Sequence, residues 1–298
     1  MNVKTWMLTA LSLLVVACND QKPDESGDVA PAVRDFYVSF EAVGVEEPWQ
    51  VAGKLRVPQG IEGPMPAVVI VHGSNGVDTR GDYHASSLNA HGIATLEIDL
   101  WAARQNFSGA GGRPQAVSET LPDAYGALSF LAALPFINSD KIGIMGFSWG
   151  GVVSMLTATK PYTDLYAQDN LHFAAHVPFY PVCWVYNTIP GYEFADLTGA
   201  PVMILAGAED DYDAPDTCPA LVSSLPPEAQ SHVTVTVYPG ATHGWNMQGN
   251  MKAVVEDPFS HLGQGGEVRI FSNPEIAEKS RLATDAFFLK VFGITGKI

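Results

Sequence analysis

The chain has 298 residues, with 32 acidic against 16 basic side chains and a net charge of −16. That balance argues against nucleic acid or an anionic membrane surface as the main partner, and it says little about chemistry. A chain of this length buries about three quarters of the surface its unfolded form exposes, enough for one large α/β domain or two small ones.

The first residues read as processing signal rather than fold. Lys4 precedes an apolar run of twelve, Trp6 to Ala17 (WMLTALSLLVVA). Twelve is too short for an ordinary membrane-spanning helix and suits the core of an export signal. The run ends in Val15-Val16-Ala17-Cys18, which resembles a bacterial lipobox. Residues 1–17 are therefore expected to be a cleaved lipoprotein signal peptide, with Cys18 lipidated; the alternative is a plain secretory signal with a chance cysteine. The expected location is the bacterial cell envelope, with contact to the membrane through the lipid anchor only. Residues 18–34 are polar, acidic and carry Pro and Gly, so they read as a disordered tether, and residues 35–298 as one folded domain. An exported chain meets an oxidising compartment, which favours a disulfide between the remaining Cys183 and Cys218 over two buried free thiols.

The domain opens with two runs that alternate apolar and polar residues, Phe36 to Val43 and Trp49 to Val57. They predict a half-exposed antiparallel strand pair. Ala67 to Gly73 (AVVIVHG) is then continuously apolar, as a strand covered on both faces must be. IATLEIDL, KIGIMG, FAAHVPFY, PVMILAG and VTVTVY follow, with helix-compatible stretches such as Asp123 to Leu134 between several of them. The predicted fold class is α/β, with a mostly parallel central sheet and helices on both faces. Ligands of such sheets bind outside the carboxyl ends of the strands, so the residues that follow each strand carry the candidate chemistry.

After the strand Ile142 to Met145 comes Gly146-Phe147-Ser148-Trp149-Gly150, a G-x-S-x-G that predicts a nucleophile elbow leading into a helix from about Trp149 to Thr159. After PVMILAG the loop AEDDYDAP carries acids at 209, 210, 211 and 213, with Asp210 three residues past Gly207. After VTVTVYPGAT comes His243. The chain order Ser148, Asp210, His243 is that of an α/β-hydrolase triad. His243 would take the proton of Ser148 and return it to a leaving group, while Asp210 would hold the imidazole in the useful tautomer. Each residue taken alone has a plainer reading as a cap, a solvated loop acid or a solvated histidine. An acyl intermediate also needs two backbone donors for its oxyanion. Trp149 is one candidate; Ser74, in the loop of VIVHGSNG, is the other, with Asn75 its neighbouring competitor. His72 precedes Gly73 at the strand end and reads as a residue that fixes the loop. Trp101, Trp149, Trp184, Tyr212 and Trp245 stand near strand ends, where aromatic residues either line a pocket or pack in the core.

From about Trp49 onward the chain resembles the dienelactone hydrolase family of α/β hydrolases. The resemblance is carried by AVVIVHGSNG, EIDLWAARQ, DAYGALSFLAALPFINSDKIGIMGFSWGG, PVMILAGAEDD and YPGATHGW together. It implies the α/β-hydrolase fold, a triad of Ser148, Asp210 and His243, and a monomeric or weakly associated esterase acting on small esters or lactones without cofactor or metal. Asp211 remains a rival for the acid, since Pro215 lies four residues after it, an interval the family often shows. The segment DLWAARQ implies Arg104 as a residue that would bind a substrate carboxylate, against a plainer reading as a loop charge or structural ion pair. Two departures separate this chain from dienelactone hydrolase itself. Its nucleophile is a serine where that enzyme has a cysteine, and it lacks the glutamate that enzyme carries where Val71-His72-Gly73 stands. Thiolate-specific activation is therefore not implied. Two further readings keep the fold: a hydrolase of acetylated sugars or polyesters, and a catalytically silent envelope binding protein.

Overall fold

The computed structural model describes residues 30–104 and 112–295. The signal segment 1–17, Cys18 and residues 19–29 of the expected tether lie outside the described residues. The described residues from Pro31 onward form one compact unit. None of its described helices is long and apolar enough to cross a membrane.

The strands are β1 (Val33–Glu41), β2 (Gln50–Pro58), β3 (Met65–Val71), β4 (Ala94–Asp99), β5 (Ile137–Phe147), β6 (Ala175–Phe179), β7 (Val202–Gly207) and β8 (Val233–Tyr238). They make one eight-stranded sheet in the order β1-β2-β4-β3-β5-β6-β7-β8. β1 pairs antiparallel with β2, and β2 with β4; every other pairing is parallel. The expected fold class and the antiparallel N-terminal pair are both present. Val33 and Arg34, placed in the tether by sequence, belong to β1, because they pair with Pro58 and Val57 of β2. β5 starts at Ile137, four residues before the apolar run that marked it in the sequence.

The helices are α1 (Thr79–Ala90), α2 (Leu121–Ala132), α3 (Trp149–Leu156), α4 (Lys160–Tyr166), α5 (Thr217–Ser224), α6 (Pro227–Gln230), α7 (Ser260–Gly263) and α8 (Pro274–Phe292). Successive side chains of a strand point to opposite faces, and the core divides accordingly. Val68 and Ile70 pack with Ala85 and Leu88 of α1 and with Phe288, Leu289 and Phe292 of α8. Val69 and Val71 pack with Leu121, Ala124 and Leu128 of α2 and with Val152 and Val153 of α3. β3 is thus covered on both sides, which is why its sequence is apolar without alternation. Complete burial of one such aliphatic side chain contributes roughly 1.5 to 3 kcal/mol, so this double layer is the main source of stability.

Between β8 and α8 the chain adds a two-stranded antiparallel hairpin, β9 (Lys252–Asp257) and β10 (Gly266–Phe271), which no periodicity had marked. Ile270 of β10 bridges to His243, so the hairpin stands beside the carboxyl ends of β5, β7 and β8.

Candidate active site

β5 leads without a break into Ser148, whose backbone is held at φ 53° and ψ −110° before α3 begins. This is a sparsely populated conformation for a residue with a side chain, and it is sustained by the packing around it. A Cβ on Gly146 would strike the Gly150 carbonyl, and a Cβ on Gly150 would strike the Val71 carbonyl. Glycine at both positions is therefore what lets the elbow close against β3. Ser148 N–H donates to the Phe179 carbonyl of β6, and the half-buried side chain stands at the carboxyl edge of the sheet.

Three side chains from three strand ends meet here. Ser148 Oγ lies 2.9 Å from His243 Nε2. His243 Nδ1 lies 2.9 Å from Asp210 Oδ2, and both residues are buried, at 5% and 8% exposure. The other Asp210 oxygen, Oδ1, accepts the Tyr212 N–H at 3.0 Å. The His243 ring is held between two tyrosines, Tyr180 at a centroid distance of 4.7 Å and Tyr212 at 4.5 Å. Tyr180 accepts from Arg80 Nη1 at 3.0 Å and donates to Asn246 Oδ1 at 2.6 Å. Burial pushes the Tyr180 phenol up to about 12 despite the opposing Arg80 cation, so it stays neutral beside the imidazole.

The remaining loop acids are committed elsewhere. Asp211 accepts from Arg269 N–H, Nε and Nη2 of β10. Glu209 is exposed. Asp213 accepts the N–H groups of Cys183 at 2.6 Å and Trp184 at 2.9 Å. Residue 213 is only half-buried as a whole, but its carboxylate is the enclosed end, and burial, with Asp210 nearby, raises it to about 7. The disulfide Cys183–Cys218 ties the turn after β6, whose N–H groups Asp213 holds, to α5. Cys183, Asp213 and Cys218 bring their ligand atoms within 4.8 Å of one another, but the two sulfurs are bonded to each other and offer no thiolate to a metal.

Of the two expected oxyanion donors, neither the Trp149 N–H nor the Ser74 N–H donates a hydrogen bond to another group among the described residues. The Ser74 carbonyl accepts from Trp101 Nε1 at 2.9 Å, and Ser74 Oγ from Arg113 Nη1 at 2.8 Å, which fixes the loop from two sides. His72 is buried. Its Nε2 accepts the Leu100 N–H at 3.0 Å, so Nδ1 donates to the Gly73 carbonyl at 2.7 Å. It holds the loop, as its position before Gly73 suggested.

Arg104 does not take the place the family segment implied. Its Nη1 donates to the Leu100 carbonyl at 2.8 Å and to Asp123 Oδ2 at 2.7 Å, its Nη2 donates to the Glu119 carbonyl, and its guanidinium stacks on Trp49. The fully buried Asp123 carboxylate, raised to about 6 by desolvation, needs that cation, so Arg104 is turned inward and lines neither cleft beside Ser148. Two arginines line the cleft beside Ser148: Arg80, committed to Asp78 and Tyr180, and Arg113, unmarked by sequence. Arg113 reaches Ser74 Oγ, Asp257 Oδ2 at 3.0 Å and the face of Trp149. Of the five aromatics near strand ends, Trp149 and Tyr212 line the clefts, whereas Trp101 and Trp245 are core and Trp184 donates to the Phe259 carbonyl. Tyr180 was legible in principle, since it closes the apolar run of β6; nothing in the sequence pointed to Arg80, Arg113 or Asp257.

Comparison with known proteins gives the family and the fold. Among curated proteins, 138 residues are 27% identical to "Dipeptidyl peptidase family member 2" of Caenorhabditis elegans, covering 38% of this chain and 16% of that protein. An alignment over 108 residues is 29% identical to "Probable 2-oxo-3-(5-oxofuran-2-ylidene)propanoate lactonase" of Bradyrhizobium sp, covering 34% of this chain and 44% of that protein. The chain therefore aligns with less than half the length of either curated relative. Among solved structures, esterase 2 of Thermogutta terrifontis in its paraoxon-phosphorylated form is 16% identical with a TM-score of 0.59, covering 87% of this chain and 96% of that one. That likeness is one of fold. The model of the dienelactone hydrolase family matches residues 51–288, four fifths of the sequence, and the chain belongs to that family.

Proposed function

We propose that the protein is a serine hydrolase that cleaves small carboxylic esters or lactones through an acyl-enzyme, tethered to the bacterial envelope. One observation carries the chemistry: the unbroken chain from Ser148 Oγ through His243 to Asp210, at 2.9 Å and 2.9 Å, at the mouth of an open cleft. His243 Nε2 takes the Ser148 proton as Oγ attacks the carbonyl carbon. The tetrahedral oxyanion lies toward the N–H groups of Trp149 and Ser74. The bond to the alcohol oxygen then breaks, and that oxygen leaves with the proton from Nε2. Water, deprotonated by the same nitrogen, attacks the acyl carbon and releases the acid, and Ser148 regains its proton. Asp210 keeps the imidazole proton on Nδ1 and stabilises the imidazolium. The lactonase name of the Bradyrhizobium relative supports including cyclic esters.

Ser148→Ala should abolish hydrolysis of short p-nitrophenyl esters, with kcat lowered by on the order of 10⁴ to 10⁶. A fluorophosphonate probe should label the wild type at Ser148 and leave this variant unlabelled. A variant that keeps a tenth of its activity would overturn the assignment. The disulfide and the Cys18 motif support the envelope location; palmitate labelling that Cys18→Ser abolishes would bear it out, and a mature chain starting at another residue would refute it.

A further inference from the structure

Two clefts, of about 320 and 290 Å³, open onto Ser148, and Arg113 and Asp257 line both of them. The pair therefore stands beside a substrate chain whichever way that chain leaves the reacting carbon. Asp257 ends β9 and is 8% exposed, while the Arg113 side chain, from the segment between β4 and α2, is 21% exposed. Asp257 Oδ1 accepts the Phe259 N–H at 2.8 Å, which turns Oδ2 toward Arg113.

A guanidinium captures a carboxylate best through two parallel N–H groups of its fork. The terminal nitrogens of both arginines beside Ser148 are already engaged. Arg113 Nη1 donates to Ser74 Oγ at 2.8 Å and Nη2 to Asp257 Oδ2 at 3.0 Å, and the flat guanidinium lies over Trp149. Arg80 is buried; its Nε and Nη2 donate to Asp78 and its Nη1 to the Tyr180 hydroxyl. Arg269 of β10 is held by Asp211, and the stretch Gln105 to Gly112 (QNFSGAGG) contains no charged residue.

A carboxylate carried by the substrate meets one of two penalties. Beside the intact pair it stands next to Asp257, and the exposed Glu256 of the same wall adds to the repulsion. Like charges a few ångströms apart in a partly dehydrated cleft repel far more than they do in water. If the substrate instead draws Arg113 away, the buried Asp257 carboxylate is left without its cation, and an unpaired buried charge is strongly unfavourable. An uncharged chain meets neither penalty.

We propose that Asp257 sets the charge specificity of the enzyme: by holding Arg113 it closes the cleft to carboxylate-bearing esters and restricts the substrates to esters that are uncharged around the carbonyl. This rests on Ser148 and His243 acting as assigned above. Asp257 takes no part in bond making. Arg113 is a cation that a single substitution would release to an anionic substrate.

The test uses the full chain and one ratio of kcat/KM measured within each variant, so that a general loss of activity cancels. The numerator is the p-nitrophenyl ester of adipic acid with its second carboxyl free; the denominator is the same ester with that carboxyl methylated. The wild type should favour the methylated ester by about tenfold or more. Asp257→Asn keeps the Oδ1 acceptor for Phe259 and releases Arg113, so it should raise the ratio by about tenfold or more. Arg113→Gln leaves Asp257 uncompensated and should lower the ratio below that of the wild type; it reads the same charge from the other side should Asp257→Asn fold poorly. The double variant should return to within about threefold of the wild type, an outcome that a merely structural role of Asp257 would not produce. A wild type that prefers the free carboxyl, an unchanged ratio in Asp257→Asn, a rise in Arg113→Gln, or a double variant that keeps the gain would each overturn the proposal. Failure of the underlying reading looks different: the wild type would then turn over neither ester, or Ser148→Ala would turn them over as well.

Discussion

Asp210 and Asp211 are consecutive residues whose carboxylates serve different elements: Asp210 Oδ2 meets His243 Nδ1 at 2.9 Å, and Asp211 Oδ1 meets Arg269 Nη2 at 2.8 Å. The first contact joins β7 to β8 at the reacting centre. The second pins the β9–β10 hairpin to the same loop, and Arg269 holds the Asp211 carboxyl below its ordinary value although partial burial works the other way.

Asp210→Asn should therefore lower kcat by about 10⁴, because the carboxamide loses both the charge and the tautomer it enforces. Asp211→Asn should stay within about tenfold of wild type, since a half-exposed ion pair contributes little. Steady-state kinetics on one p-nitrophenyl ester decides it. If Asp211→Asn is the inactive variant, the acid has been misassigned by one residue.

Arg104 is expected to act on stability and not on substrate charge. Arg104→Met strands the buried Asp123 carboxylate and should cost about 3 to 5 kcal/mol in denaturant unfolding. In the folded fraction, KM should change equally for neutral and carboxylate-bearing esters. A selective rise in KM for the anionic ester would restore the substrate-binding role that the family segment implied.

Asp213 gives a pH signature of definite sign. Its folded value, about 7, lies above the ordinary 3.8, so between those values the native state binds more protons than the unfolded chain. The contribution is fully present below about pH 4 and is lost as pH rises through about 7. The Tm difference between wild type and Asp213→Asn should therefore move against the wild type from pH 5 to pH 8. A difference independent of pH would show that the carboxyl is ionised throughout.

The Cys183–Cys218 bond closes a loop with a sequence separation of 35. Replacing both cysteines by serine should lower stability by roughly 3 to 4 kcal/mol on loop-closure entropy. Native protein that alkylates at two thiols would show that the bond does not form.

Much of the site was legible because buried parallel strands write themselves as unbroken apolar runs. β3, β7 and the Ile142–Phe147 half of β5 carry no polar side chain, and the rule that ligands sit beyond strand carboxyl ends then singles out Ser148, the acid loop and His243. The Gly146 and Gly150 flanks added the elbow, since close approach of backbones leaves its mark as missing side chains. The β9–β10 hairpin left no such mark. β9 is exposed at four of its six positions, so no period in its sequence reports burial.

What the sequence by itself determined is the sheet, the elbow and the chain order of three residues, because burial and backbone crowding constrain residue type locally. Which carboxylate of the loop meets the imidazole was settled only by tertiary structure, as neighbouring loop side chains point in different directions. So was the choice of arginine: Arg104 turns inward to Asp123, while Arg113 crosses the mouth to Asp257, a partner 144 residues away. Pairings across such separations depend on how loops are laid over a finished sheet, and residue identity along the chain carries no record of that path.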